Sequence, residues 1–161
     1  MRSLVKPCLL KLGVVTIGTL FSVSAAFAQG TPAEQKAVEQ RQALFKDIEK
    51  SFNPIGDMLK RKAKYDAAVV QENAAQLETL ARKISDAFAV DTHKATGVKT
   101  KARENIWTNM PDFKAKNDDL VKALAGLSAA AKGGDEKAFR PAAVAVGKAC
   151  AGCHDNYKDS D

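Results

Sequence analysis

Near its C-terminus the chain reads Ala149-Cys150-Ala151-Gly152-Cys153-His154, two thiols and an imidazole in C-x-x-C-H spacing. Three chemistries use such a set: covalent haem, half of a zinc site, or a redox dithiol. A zinc site takes four ligands, usually Cys or His, and beyond the motif the exported chain adds only His93. A thioredoxin-like dithiol opens a helix after a strand, whereas these cysteines end a helical run in a chain without strand patterning. Covalent haem suits the spacing better than either. On a helix Cys150 and Cys153 stand at i and i+3 on one face, where each can form a thioether with a haem vinyl group. His154, at i+4 from Cys150, stands beside them and can offer its imidazole to the iron.

Export would suit that chemistry, and the N-terminus has the pattern for it. Arg2, Lys6 and Lys11 precede or flank an apolar run, LGVVTIGTLFSVSAAFA, that ends in the A-x-A site Ala26-Phe27-Ala28. Residues 1–28 therefore read as a cleaved secretory signal peptide. The run is at the lower limit for a membrane span and lacks a basic stop-transfer flank. Cys8 lies ahead of the apolar run, away from any lipid-bearing position, and leaves with the peptide. Residues 29–161 then make one domain by size, with the periplasm as its compartment. Losing the three leader cations takes the formal charge from +6 to +3. The basic residues are interspersed with Asp and Glu, which argues against nucleic acid as a partner. No other segment is apolar enough to span a bilayer. A disulfide within C-x-x-C would close only a tiny loop and staple little together.

Four segments with helical periodicity must position the motif. The first covers residues 32–59, with Val38, Arg41, Phe45, Ile48, Phe52, Ile55 and Leu59 on one stripe. The second covers 66–88, striped by Val70, Asn73, Leu77, Leu80, Ile84 and Ala87; the third, 109–131, by Phe113, Asn117, Leu120, Leu124, Leu127 and Ala131. The fourth covers 135–158, striped by Phe139, Ala143, Val146, Cys150, Cys153 and Tyr157. The pattern predicts an all-α fold, an antiparallel up-down-up-down four-helix bundle with covalent haem near the C-terminal end of helix four. Thr31-Pro32, Asn109 and Asp135 mark helix starts, and Gly133-Gly134 a stop. Pro54 should kink or break the first helix near Asn53, and Pro141 should bend the fourth. Residues 89–108 form the longest connection, basic and of a length that is often functional.

Arg41 stands out, because an unpaired cation in an apolar stripe is costly. In such a bundle the start of the first helix lies beside the end of the fourth. Haem would bring two propionates there, and a guanidinium is suited to bind a carboxylate. The alternative is that Arg41 snorkels to solvent from the bundle end. Lys158, at i+4 from His154, lies near the proximal imidazole or is a solvated tail lysine. Tyr157 continues the core stripe, Trp107 anchors the start of the third helix, and His93 reads as a solvent-exposed loop histidine. The lysines from Lys94 to Arg103 read as a solvated loop that can also guide an acidic redox partner.

With these residues in order, the chain resembles cytochrome c′, the class II c-type cytochromes, over residues 29–161. The matching features are Arg41-Gln42, Arg103-Glu104-Asn105-Ile106-Trp107, Leu127-Ser128-Ala129-Ala130-Ala131 and the terminal CAGCHDNYK. The resemblance implies a four-helix bundle prone to homodimerise, with one haem c on Cys150 and Cys153 and His154 as axial ligand. It carries over Arg41 and Gln42 as haem-edge contacts, with Arg103 and Glu104 in the haem-flanking stretch. In low-spin relatives the Phe45 position holds a Met that binds iron; Phe cannot, so the iron is expected to be five-coordinate beneath a Phe-capped apolar pocket. Met58 lies 13 residues beyond Phe45, about 20 Å along the helix and towards the other end. Met110, at the start of the third helix, is the rival sixth ligand.

An apolar distal side without a donor stabilises O₂ poorly, while NO and CO need less such help. The expected function is a periplasmic haem protein that binds NO and CO and can transfer one electron with an unidentified redox partner. A low-spin electron carrier with a Met ligand is the alternative. A haem peroxidase is weaker still, since it wants a distal acid–base group, so the chain is not expected to be an enzyme. Mass spectrometry of the exported protein should find its N-terminus at Gln29; a chain beginning at Met1 would overturn the signal-peptide reading.

Overall fold

The computed structural model describes residues 30–160; the leader and Cys8 lie outside the described residues. Within them the architecture is the expected antiparallel four-helix bundle, with two short helices added to one connection. The long helices are α1 (Pro32–Leu59), α2 (Ala67–Ala81), α5 (Met110–Lys132) and α6 (Glu136–Tyr157). Two short ones, α3 (Ile84–Ala87) and α4 (Asn105–Thr108), lie between α2 and α5.

Local chemistry explains most boundaries. Thr31 and Glu34 form a capping box at α1: the Thr31 hydroxyl accepts from the Glu34 N–H at 3.2 Å, and the Glu34 carboxylate accepts from the Thr31 N–H at 2.6 Å. Asp66 accepts from the Ala68 and Val69 N–H groups to start α2, and Asp135 from that of Lys137 to start α6. The helix α5 ends at Gly133, and Gly134 takes φ +67°, a left-handed conformation natural to glycine. Asn109 occupies the expected N-cap position of α5, but its side chain makes no capping bond.

Two expectations are corrected. The predicted second helix is interrupted after Ala81: the Lys83 N–H turns back to Leu80 O, three residues away, and α3 restarts beyond it. This tight turn swings Ile84 and Phe88 into the core, each 5% exposed, and a continuous stripe in the sequence hides it. The first helix is not broken at Pro54, since α1 runs through it, and α6 likewise runs through Pro141. A mid-helix proline costs about 3 kcal/mol. Burial of Ile55 and Met58 just beyond Pro54, and of Ala143 and Val146 beyond Pro141, offsets that cost.

The core runs the length of the bundle around Ile55, Val70, Leu77, Leu124, Leu127, Phe139 and Val146. One seam is thinner than the rest. The helix α6 packs closely along α5, and α5 along α2, while α1 and α6 meet only sparsely. Accordingly α1 is buried towards its ends (Val38 and Arg41, Ile55 and Met58), whereas Leu44, Phe45, Ile48 and Phe52 between them are only half-buried.

Phe139 is fully buried, its ring centroid 5.1 Å from that of Tyr65. Phe139→Ala should lower the unfolding free energy by about 3–5 kcal/mol in urea melts. Val144→Ala, at 41% exposure, should change it by less than about 0.5 kcal/mol.

Candidate functional site

The C-x-x-C-H motif occupies the last two turns of α6. Cys150 and Cys153 are half-buried and unpaired, packed against the core from the thin seam. Burial pushes the Cys150 thiol up. Cys153 is pushed up to about 11, by burial first, with Lys116 opposing and Cys150 and Asp112 adding to it. Dithiol exchange calls for a thiolate, and burial works against one here. His154 stands at the exposed end of the helix. Partial burial first, then the Lys158 ammonium, hold its imidazole below its usual value, with Asp155 opposing. A neutral imidazole with a free lone pair is the form a metal needs.

Opposite Cys150 lies a small cavity of about 20 Å³, lined by Ile48 and Phe52 of α1, Leu77 and Ala81 of α2, Leu120 and Leu124 of α5, and Val146. All four long helices contribute, and every lining residue is apolar apart from the thiol. The cavity itself holds no porphyrin. Its lining on α1, α5 and α6 includes Ile48, Phe52, Leu120 and Cys150, half-buried side chains of the kind a flat apolar ring would pack against. The donor set fits as well: two thiols on one helix face with a neutral imidazole next to them.

Phe45 does not line that cavity. Its ring meets Phe88 edge-on at 6.2 Å, half-buried one turn nearer the bundle end. Ile48 and Phe52 are the α1 residues facing the thiol; their place on the Phe45 stripe was the available signal. Met58 is buried in the core, and Met110 is half-buried at the start of α5.

Arg41 is 3% exposed, which overturns the snorkelling alternative. Its Nε donates to Ala87 O at 3.1 Å, Nη1 to Thr92 Oγ1 at 3.0 Å and Nη2 to Val90 O at 3.2 Å. The guanidinium lies 4.1 Å from the Phe88 ring centroid and 5.5 Å from that of Trp107. Burial lowers its pKa from the ordinary value, with Asp91 opposing. Arg41 thus clamps the loop with three of its five N–H donors, and two remain for a haem propionate. Gln42 continues the clamp, its Nε2 donating to Lys99 O at 2.9 Å.

The connection from 88 to 104 is accordingly tied down along its backbone, while Lys94, Lys99 and Lys101 stay exposed as expected. Gly30 N–H donates to Thr96 O at 2.6 Å, and a Cβ at Gly30 would lie 2.8 Å from Val98. His93 is corrected too, since its side chain is only 19% exposed. Its Nδ1 is 2.7 Å from Asp91 Oδ1, its Nε2 3.5 Å from Glu104 Oε1, and its ring centroid 6.2 Å from that of Trp107. Glu104 thus lies beside His93. Arg103 does reach the motif helix: Nε pairs with Asp159 at 2.9 Å and Nη1 donates to Asp155 O at 3.0 Å. Lys158 caps α6 and lies opposite Ala102 in an antiparallel bridge. Trp107 is half-buried and donates to Phe88 O at 2.8 Å. Tyr157 is packed as expected, 4% exposed and perpendicular to Phe113, and its hydroxyl donates to Asp112 at 2.5 Å.

A family model described as Cytochrome C′ matches residues 36–158. Cytochrome c′ of Rubrivivax gelatinosus is 37% identical over 123 residues, 76% of this chain and 94% of that protein. A solved structure of cytochrome c prime from Shewanella frigidimarina superposes with a TM-score of 0.73 at 33% identity, covering 81% of this chain and 99% of that one. The nitric oxide complex of a mutant cytochrome c prime from Alcaligenes xylosoxidans gives 0.68 at 32% identity, over 79% and 97% of the two chains. The chain belongs to the cytochrome c′ family, and its cofactor is haem c, covalently bound.

Replacing both thiols, Cys150→Ala with Cys153→Ala, should yield exported protein that loses all haem on denaturing electrophoresis with haem staining. Haem retained by that variant would mean attachment elsewhere.

Proposed function

We propose that this member of the cytochrome c′ family is an exported, non-enzymatic haem c protein that binds NO or CO and can pass single electrons. The observation that carries the reading is the chemistry of the two walls of the seam. On α6, Cys150 and Cys153 hold the cofactor and His154 presents an imidazole kept neutral. On α1, the residues facing the Cys150 thiol, Ile48 and Phe52, bring no atom able to bind iron, and neither does Phe45 one turn nearer the bundle end. Bound there, haem supplies an iron that takes up a diatomic ligand or one electron. The chain excludes water from the seam with apolar side chains and leaves the iron five-coordinate.

The nitric oxide complex of the Alcaligenes relative supports a gaseous ligand for this chain. The signal-peptide pattern ahead of Gln29 supports periplasmic residence, where a redox partner would be met. Family membership supports a homodimer. Met110, half-buried at the start of α5, is the residue on which a low-spin electron carrier would depend.

The ferrous protein should give a high-spin absorption spectrum that shifts on titration with CO and with NO. A low-spin spectrum inert to CO would instead put Met110 on the iron. Phe45→Met should convert the spectrum towards six-coordinate low spin. If Ile48→Met does so and Phe45→Met does not, the cavity-lining residue is the one over the iron.

A further inference from the structure

The imidazole assigned to the iron sits where a helix is least stable. His154 lies in the last turn of α6, which ends at Tyr157. Helix ends leave their final carbonyls without intrahelical donors and fray unless those carbonyls are capped. Here the carbonyls that follow His154 are all served by one short stretch of the connection, residues 103–105. Arg103 Nη1 donates to Asp155 O at 3.0 Å and to Asn156 O at 3.4 Å, and Asn105 Nδ2 donates to Asn156 O at 2.9 Å. The Arg103 backbone N–H takes Tyr157 O at 3.1 Å, and Asp159 N–H donates to Lys101 O at 2.9 Å. A guanidinium at a helix C-terminus also complements the macrodipole.

We infer that Arg103 is a positioning residue: by capping the last turn of α6 it fixes the direction in which His154 presents its imidazole to the haem iron. This rests on the reading of His154 as the axial ligand. The carbonyl bonds are the operative contacts. The ion pair to Asp159 is between side chains 38% and 63% exposed, a kind that contributes little. Arginine's planar fork, with five donors, spans two carbonyls and a carboxylate together, whereas a lysine ammonium meets them from a single point. The far end of the same connection is held independently by Arg41 at Ala87, Val90 and Thr92. Loss of Arg103 therefore frees the motif end alone.

The test uses the haem-loaded protein, with the iron–histidine stretching band of the ferrous form as readout. Arg103→Gln should shift and broaden that band, Arg103→Lys should restore it in part, and Asp159→Asn should leave it near wild type. Amide exchange at Lys158, whose N–H bonds His154 O, should quicken about tenfold in Arg103→Gln, with α2 unaffected. Should Arg103→Gln not fold, Asn105→Ala removes one cap and should shift the band in the same direction. An unchanged band in a folded variant overturns the inference, even if exchange quickens, because the contact would then be structural only. Absence of an iron–histidine band in the wild type overturns the ligand assignment itself, and this inference with it.

Discussion

The haem end of the bundle depends on keeping one arginine charged and buried. Removing a guanidinium from water costs several kcal/mol unless its donors are met. Arg41 meets that cost with three hydrogen bonds and two aromatic faces, and the acceptors are what give the arrangement its reach. Two are backbone carbonyls, Ala87 at the end of α3 and Val90 beyond it, and the third is the buried hydroxyl of Thr92. Backbone groups outside helices need partners of their own, and the arginine supplies them. One side chain thus answers two needs, its own desolvation and the anchoring of a long connection to α1.

From that anchor the connection crosses to the opposite wall. Gln42 and Gly30 hold its middle at Lys99 and Thr96, and Arg103 fastens its end to the last turn of α6. The bundle end is therefore braced by a segment running outside the seam, which lets the seam itself stay sparsely packed. A four-helix bundle closed by α1 packing hard on α6 would have no room for a flat cofactor between them. With the brace, Leu44, Phe45, Ile48 and Phe52 remain half-buried, and the Cys150 thiol lies opposite Ile48 and Phe52.

Much of this was legible in the sequence, for identifiable reasons. The motif residues lie three and four apart, so a helical period alone puts them on one face. Helix starts were marked by Thr31 and Asp135, whose side chains cap locally; Asn109 marked the right position without capping it, and the cap at Asp66 was not singled out. The break after Ala81 was not legible, because a tight turn can keep apolar residues in step with the stripe on either side of it. Pro54 misled for the opposite reason: it breaks a local rule, and tertiary burial of Ile55 overrides it. Arg41 was expected to meet haem propionates or to snorkel to solvent; its loop partners lie 46 to 51 residues away in a stretch without periodicity and were not legible. His93 was misread likewise, since a loop histidine looks solvated until the loop is seen to be tied down.

The polar groups nearest the motif also bear on which proposed activity the site favours. Acid–base catalysis wants a group whose pKa lies near the working pH and which can reach the bound ligand. Tyr157 is committed to Asp112, and its hydroxyl is pushed up to about 12, by burial first and then by that carboxylate. It keeps its proton near neutrality and lies on the motif helix, as does His154, whose lone pair is wanted by the iron. The α1 wall contributes phenylalanine and isoleucine. A neutral diatomic ligand and a single electron share the property of arriving without a proton, and a site walled in this way suits both for that one reason.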